Sequence, residues 1–235
     1  MSARPSEVTG GPVRAVLFDL DGTLLDTAPD LVWALNHALE LAGRAPLPFE
    51  TVRGWVSHGA GALIRHGFGI SPDDPEFQTH RQNLLDAYRG HLAVETRLFP
   101  GTEALLAGLE SAGIPWGVVT NKPAYLTDPL MAALDLTRRA ACVVSGDTTA
   151  HSKPHPEPLH HACRLVGSQC SDALYVGDAA RDIEAGLAAG MRTLVALFGY
   201  LGEEDDPTAW GAHGMVAHPG EILAWVEREA DAGAL

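Results

Sequence analysis

The stretch VRAVLFDLDGTLLDT, residues 13–27, decides how the rest of the chain reads. Val13 to Phe18 is a short, largely apolar run of the kind that forms a strand buried on both faces. It delivers two carboxylates, Asp19 and Asp21, followed by Gly22, Thr23, the pair Leu24-Leu25, and Asp26-Thr27. An ionised carboxylate beside a hydrophobic core is costly unless a cation or hydrogen bonds compensate it. Asp-Gly is a common turn pair, and a turn accounts for Asp21 and Gly22 but leaves Asp19 unexplained. Buried ionisable groups at a strand end mark a candidate functional site.

Working outward, Asp26 or Thr27 is placed to cap a helix whose first turn holds Pro29 and Asp30. Leu31, Leu35, Ala38, Leu39 and Ala42 recur at helical spacing, and Gly43 suits the end. The pattern stays helical to about Arg97, which predicts an all-helical insertion, a small second domain over residues 28–97. At Phe99-Pro100-Gly101 the pattern changes. Helix 102–112, strand 116–120, a helix carrying Leu126, Leu130 and Leu134, strand 142–145, helix 158–166, strand 173–178, helix 180–189 and strand 193–197 then alternate. An acidic loop, a short strand near 215–217 and a final helix close the chain.

This alternation predicts an α/β fold, a doubly wound parallel sheet forming a Rossmann-like core from residues 1–27 and 98–235. Ligands of such sheets bind outside the carboxyl ends of the strands. Here those ends carry Asp19 and Asp21, Thr120 and Asn121, the loop with Lys153, and Asp178, with Asp182 one helical turn further on.

Thirty acidic against 16 basic residues give a net charge of −14 with no long basic cluster, which argues against nucleic acid or an anionic membrane surface as partner. The first dozen residues hold no apolar signal region, and no window approaches a membrane span, so a cytoplasmic protein with a frayed N-terminus is expected. Cys142, Cys163 and Cys170 lack CxxC or other metal spacing and are expected to be thiols in a reducing compartment. Only two lysines occur, Lys122 and Lys153, both in loops that follow strands. No internal repeat is present, and the sequence does not set an oligomeric state.

Carboxylates gathered at strand ends suit a hard divalent cation, and magnesium is commonly held by one or two carboxylates plus substrate phosphate. The lysine, hydroxyl and amide groups beside them suit the phosphate of a small phosphorylated metabolite. An aspartate can attack phosphorus to give an aspartyl-phosphate, which divides hydrolysis into two easier displacements, and Asp19 is placed for that part. Asp21, two residues on, lies on the same side of an extended strand end and can protonate the leaving oxygen, then take a proton from water.

Four segments in order, DLDGTLLDT, VVTNKP, SKPHPEP and VGDAARDIEAG, resemble the haloacid dehalogenase-like hydrolase superfamily, and within it the phosphoglycolate phosphatase-like enzymes. The resemblance covers nearly the whole chain. It implies Asp19 as nucleophile, Asp21 as general acid/base, and Thr120 and Lys153 as phosphate binders helped by the Asn121 backbone. It further implies Asp178 as a ligand of Mg2+, to which Asp19 and the backbone carbonyl of Asp21 contribute, with the Asp19 strand between those ending at Thr120 and Asp178. Gly22 lets the backbone turn tightly, and the helical insertion becomes a cap over the substrate. Many relatives carry two adjacent acids in the last motif. Here Ala179 follows Asp178 and the second acid is Asp182, either a metal-supporting residue or an exposed acid of a first helical turn.

Within VSHGAGALIRHG, residues 56–67, His58 and the glycines resemble the family's substrate-facing loop, or else form an ordinary turn between helices. Arg65 either reaches an anionic substrate group or faces water. Lys122 is either a substrate contact or a solvated loop lysine. The histidines, His160-His161 included, lack HExxH spacing and read as surface or packing residues, and Trp55, Trp116 and Trp210 as packing residues. Asp21 disfavours a dehalogenase, and the absence of a lysine in the insertion disfavours a phosphonoacetaldehyde hydrolase. A hexose-phosphate mutase would keep all four motifs, and a non-catalytic phospholigand-binding protein would keep the fold alone. Hydrolysis of 2-phosphoglycolate is the leading expectation. The alternative is N-acetylmuramic acid 6-phosphate, because Gly199-Tyr200 through Asp205, Pro207, Trp210 and Gly211 resembles phosphatases of that compound.

Overall fold

The computed structural model describes residues 12–232, so the expected N-terminal fraying falls almost wholly outside the described residues. Strand β1 (Ala15–Phe18) is buried along its length and alternates its side chains between two cores. After a turn at Asp21–Thr23, β2 (Leu25–Asp26) leads into four helices, α1 (Ala28–Leu41), α2 (Phe49–Arg53), α3 (Gly59–Phe68) and α4 (Phe77–Gly90). Strand β3 (Arg97–Leu98) pairs antiparallel with β2, so a two-stranded ribbon joins the two ends of this helical segment. The sequence pattern did not anticipate the ribbon, because two-residue strands are too short to show a period.

Alternation follows as expected: α5 (Thr102–Ser111), β4 (Trp116–Val119), α6 (Ala124–Ala133), β5 (Cys142–Val144), α7 (Glu157–Val166), β6 (Ala173–Gly177), α8 (Ala180–Ala188), β7 (Arg192–Ala196), β8 (Gly214–Val216) and α9 (Gly220–Ala232). The six longer strands form one parallel sheet in the order β5-β4-β1-β6-β7-β8. This is an α/β fold with a helical cap between β1 and β4. Phe18 is in register with Val118 on one side and Val176 on the other, so the residues just past β1, β4 and β6 emerge side by side.

Val16 and Phe18 pack with Leu105, Leu106 and Leu109 of α5, Leu130 and Met131 of α6, and Ile222 and Val226 of α9. Ala15 and Leu17 face the other way, onto Leu159 and Ala162 of α7 and Ala185 of α8. With helices on both faces, the strand ends are the part of the sheet left uncovered for a ligand. A third apolar cluster builds the cap from Leu31, Leu35 and Leu39 of α1, Leu63 and Ile64 of α3, and Leu84 and Tyr88 of α4. Each fully buried leucine contributes about 1.5–3 kcal/mol, which holds the cap together around its own core. No helix among the described residues is long and apolar enough to cross a membrane.

Thr27 stands at the N-cap position of α1, but its hydroxyl does not cap the helix. It donates instead to Asp21 Oδ1 at 2.6 Å, and the amide of Ala28 donates to the hydroxyl of Tyr200 at 2.9 Å. Tyr200 in turn donates to Asp26 Oδ1 at 2.6 Å. A nearby carboxylate is a stronger acceptor than the helix amides are donors to the hydroxyl, and a distant tyrosine satisfies the orphan amide. Trp116 is buried, as a packing residue should be, with its ring N–H on Glu110 at 3.0 Å.

Candidate active site

Asp19 lies at the carboxyl end of β1, fixed by its amide to the Val176 carbonyl at 2.9 Å. Its Oδ1 is 2.8 Å from Lys153 Nζ. The Lys153 ammonium is buried and also contacts Asp182 Oδ1 at 2.7 Å, the Val119 carbonyl at 2.8 Å and the Tyr175 hydroxyl at 2.7 Å. Asn121 fixes the lysine loop from outside: its side-chain amide donates to the Lys153 carbonyl at 2.8 Å and accepts from the Lys153 amide at 3.0 Å. Thr120, buried at the end of β4, accepts the Lys122 amide on Oγ1 at 3.1 Å.

Asp178 ends β6. Its Oδ2 accepts from Ser57 Oγ at 2.5 Å and from the Tyr200 amide at 2.9 Å, while its Oδ1 is buried without a hydrogen-bond partner. A Cβ on Gly22, whose φ is +82°, would lie 2.1 Å from Asp178 Oδ2, so this turn has both the backbone angle and the close approach that call for glycine. Asp182 is fully buried rather than an exposed first-turn acid; its Oδ2 accepts the Ala179 amide at 3.1 Å. One carboxylate oxygen from each of Asp19, Asp178 and Asp182 lies within 4.8 Å of the others.

Three buried carboxylates against the Lys153 ammonium and the Arg181 guanidinium still leave negative charge uncompensated. Burial raises the Asp19 carboxyl above its usual range despite the pull of Lys153. Burial, reinforced by the charges of Asp19 and Asp182, pushes Asp178 up to about 7. The unpartnered Asp178 Oδ1 and the all-oxygen donor set fit a hard divalent cation.

Asp21 stands apart from that cluster. Its Oδ1 is 2.6 Å from Lys122 Nζ as well as from the Thr27 hydroxyl. Lys122 is therefore not a solvated loop lysine. It is buried, its ammonium also donates to the Tyr88 hydroxyl of α4 at 3.0 Å, and it sits 4.7 Å from the Tyr88 ring centre. Burial pulls the Lys122 ammonium down, but Asp21 and Tyr88 outweigh it and hold the group above the usual lysine range. Burial pushes the Tyr88 phenol up to about 12.

Asp19, Asp21, Thr120, Asn121 and Lys122 form one wall of a cavity of about 330 Å³ between cap and sheet. The facing wall comes from the cap, with Leu31, Val56, Leu63, Leu85 and Tyr88 as its apolar part and His58 and Arg81 as its polar part. His58 sits 3.9 Å from Asp205, and burial lowers its ring below the usual histidine range. Arg65 is exposed on α3 and does not line the cavity; the cap arginine that does is Arg81, one helix further on. Gly59 lines the cavity and turns the chain into α3 with φ +79°, whereas Gly61 lies inside α3 away from it.

Sequence patterns singled out none of Ser57, Arg81 and Arg181, and read Tyr88 only as part of an apolar helical face with Phe77, Leu84 and Leu85. Arg181 donates to the Ser57 carbonyl, so the loop before α3 is tied to α8 and to Asp178 at one point. For Lys122 the hint was the scarcity of lysine: both lysines of the chain turn out to be buried cations of this site.

A parallel sheet with an aspartate pair at the end of its central strand, a lysine and a third acid on neighbouring loops, a fourth acid in the first turn of α8, and a helical cap over them defines a haloacid dehalogenase-like hydrolase. The chain belongs to that family, whose model matches residues 16–196. Within it the chain is a phosphomonoester hydrolase acting on a small phosphoester. It is 45% identical over 217 residues, 92% of this chain and 96% of the relative, to the N-acetylmuramic acid 6-phosphate phosphatase of Pseudomonas aeruginosa. It is 42% identical over 215 residues, 91% of this chain and 93% of the relative, to the phosphoglycolate phosphatase of Xylella fastidiosa. Among solved structures it resembles a predicted phosphoglycolate phosphatase from Haemophilus somnus, with a TM-score of 0.80, 26% identity, and coverage of 90% of this chain and 97% of that one.

Proposed function

We propose that the protein is a magnesium-dependent phosphatase in which Asp19 attacks phosphorus and Asp21 moves the proton. The observation that carries this is the separation of the two acids. They line one cavity, yet each is held by its own lysine, Asp19 by Lys153 at 2.8 Å and Asp21 by Lys122 at 2.6 Å. Lys153, the Thr120 hydroxyl and the Asn121 backbone N–H bind the phosphoryl oxygens and stabilise their charge in the transition state. The Asp19 carboxylate displaces the leaving oxygen, Asp21 gives that oxygen a proton, and Asp21 then takes a proton from the water that cleaves the aspartyl-phosphate. Asp19, Asp178 and the Asp21 carbonyl would hold Mg2+, which when bound offsets the charge of carboxylates and phosphate. Asp182 positions Lys153. Residues 28–97 act as the cap that excludes water, and residues 1–27 with 98–235 as the catalytic core.

For the substrate, the cap wall supports N-acetylmuramic acid 6-phosphate ahead of 2-phosphoglycolate. A two-carbon acid leaves Leu31, Val56, Leu63 and Leu85 without contacts, whereas an N-acetylated sugar acid offers methyl groups to them and a carboxylate to Arg81 or His58. The identity of 45% to a phosphatase of that compound supports the same choice. The 42% identity to a phosphoglycolate phosphatase supports the smaller substrate as second reading. The test is kcat/KM on one panel holding both compounds, hexose phosphates and nucleotides, with Asp19→Asn alongside. The expectation is a preference for the amino-sugar phosphate and a loss of about 10⁴-fold or more in the variant. Turnover surviving in Asp19→Asn would remove the aspartyl-phosphate mechanism, and a higher kcat/KM for 2-phosphoglycolate would reverse the order of substrates.

A further inference from the structure

On the outer side of the lysine loop the chain gathers imidazoles. His151 and His155 flank Lys153 in sequence, and where the lysine is buried they are exposed. His151 Nδ1 lies 2.7 Å from Glu157 Oε2, and the Glu157 amide donates to His155 Nδ1 at 3.2 Å. The two imidazole rings stack with centres 4.3 Å apart. One donor atom from each of His151, His155 and Glu157 lies within 4.8 Å of the other two. Glu184 of α8 lines the same surface hollow as the two histidines. None of these side chains lines the phosphatase cavity.

We propose that His151, His155 and Glu157 form a second metal site, for a borderline transition cation such as Zn2+, astride the loop that carries Lys153. Zinc binds imidazole nitrogen at about 2.0–2.1 Å and carboxylate oxygen at about 2.0–2.2 Å, so tetrahedral ligand atoms stand roughly 3.3 Å apart. His151 Nδ1 and Glu157 Oε2 are already closer than that, and rotation of the exposed His155 side chain closes the set. A proton now joins His151 to Glu157, and the cation takes its place. Three protein ligands leave a fourth position for water or for Glu184.

The donor types separate this site from the buried one. Asp19, Asp178 and Asp182 offer oxygen alone, which suits magnesium, whereas two imidazoles with one carboxylate suit zinc, nickel or copper. The net charge of −14 favours accumulation of either cation. No helical metal motif announces the site, because its ligands come from a turn and the first residue of α7 rather than from one helix face.

The experiment titrates Zn2+ into the untagged full chain saturated with Mg2+, by calorimetry, with Co2+ as a spectroscopic probe of nitrogen ligation. One equivalent of zinc is expected. Loss of a ligand's supporting hydrogen bond alone costs about 10- to 100-fold in metal affinity, so His151→Asn and His155→Asn should each weaken binding by at least about tenfold. Both variants should keep Mg2+-dependent phosphate release, which shows that they fold. Asp178→Asn should bind zinc as the parent does. Absence of saturable zinc binding, or binding that survives the double histidine variant, would overturn the proposal. So would zinc binding that disappears in Asp178→Asn but persists in His155→Asn, since the ion would then sit among the buried carboxylates.

Discussion

Lys122 Nζ lies 2.6 Å from Asp21 Oδ1 and 3.0 Å from the Tyr88 hydroxyl, so one buried ammonium joins the second aspartate of the site to a helix of the cap. In the proposed mechanism the lysine thereby orients the acid that meets the leaving oxygen, and Tyr88 of α4 supplies a second partner for that lysine. Lys122→Met should lower kcat by about 10- to 100-fold, with a smaller change in KM. That is at or below the roughly 10²- to 10⁴-fold that an acid–base group itself contributes, because the lysine only orients that group. Tyr88→Phe removes one hydrogen bond and keeps the ring, and should cost less. Steady-state kinetics of the two variants decide the matter; equal, negligible effects would make Lys122 a structural cation only.

Lys153 and Asp182 should behave as one unit, since Asp182 holds the ammonium at 2.7 Å from a fully buried position. Lys153→Ala should lower kcat/KM by about 10²- to 10³-fold, as loss of a transition-state charge donor does. Asp182→Asn keeps its shape but not its charge and should have a smaller effect. Because residues in one network do not add, the double variant should fall no further than Lys153→Ala. Multiplying losses in that cycle would show that Asp182 acts elsewhere.

With Asp178 as the proposed metal ligand, its raised carboxyl should make metal binding and stability depend on pH together. A folded-state pKa of about 7 against an ordinary 3.8 means that the metal-free native chain binds this proton more tightly than the unfolded chain. Stability of the metal-free protein therefore falls as pH rises from about 4 to about 7, and Asp19 is shifted in the same direction. A divalent cation reverses the penalty where both acids are ionised. Saturating Mg2+ should raise Tm by about 5–10 °C at pH 8 and by much less at pH 5.5. Thermal melts in EDTA and in magnesium at both pH values measure this, and an equal increment would contradict it.

Gly22→Ala should disable the site without touching a reacting atom. The new Cβ would meet Asp178 Oδ2 at 2.1 Å, and φ of +82° adds about 1–2 kcal/mol of backbone strain. The variant should melt lower and lose affinity for Mg2+, because Asp178 must move. Gly59→Ala is the control: it has a similar φ, but nothing lies within 4 Å of the added carbon, so strain without the clash should spare magnesium binding.

The order of strands and helices was legible because apolar periodicity is local. Runs such as ALYVG in β6 and the leucines of α1 carry their own burial pattern, and a carboxylate at the end of such a run, Asp19 or Asp178, stands out against it. The β2–β3 ribbon was not legible, since four residues have no period. Cap residues were read poorly for another reason. Arg65 and Arg81 are both helical arginines, and only the packing of α3 and α4 on α1 decides which one faces the cavity.

By itself, then, the sequence determined the sheet, the acids at its strand ends and the class of chemistry they support. Tertiary structure decided the partners. Lys122 finds Asp21 across 101 residues and Ser57 finds Asp178 across 121. It also turned Asp182 inward onto Lys153 and His151 and His155 outward beside Glu157. Burial of an apolar side chain depends on its neighbours along the chain, but a charged side chain is settled by whichever opposite charge the fold brings within reach.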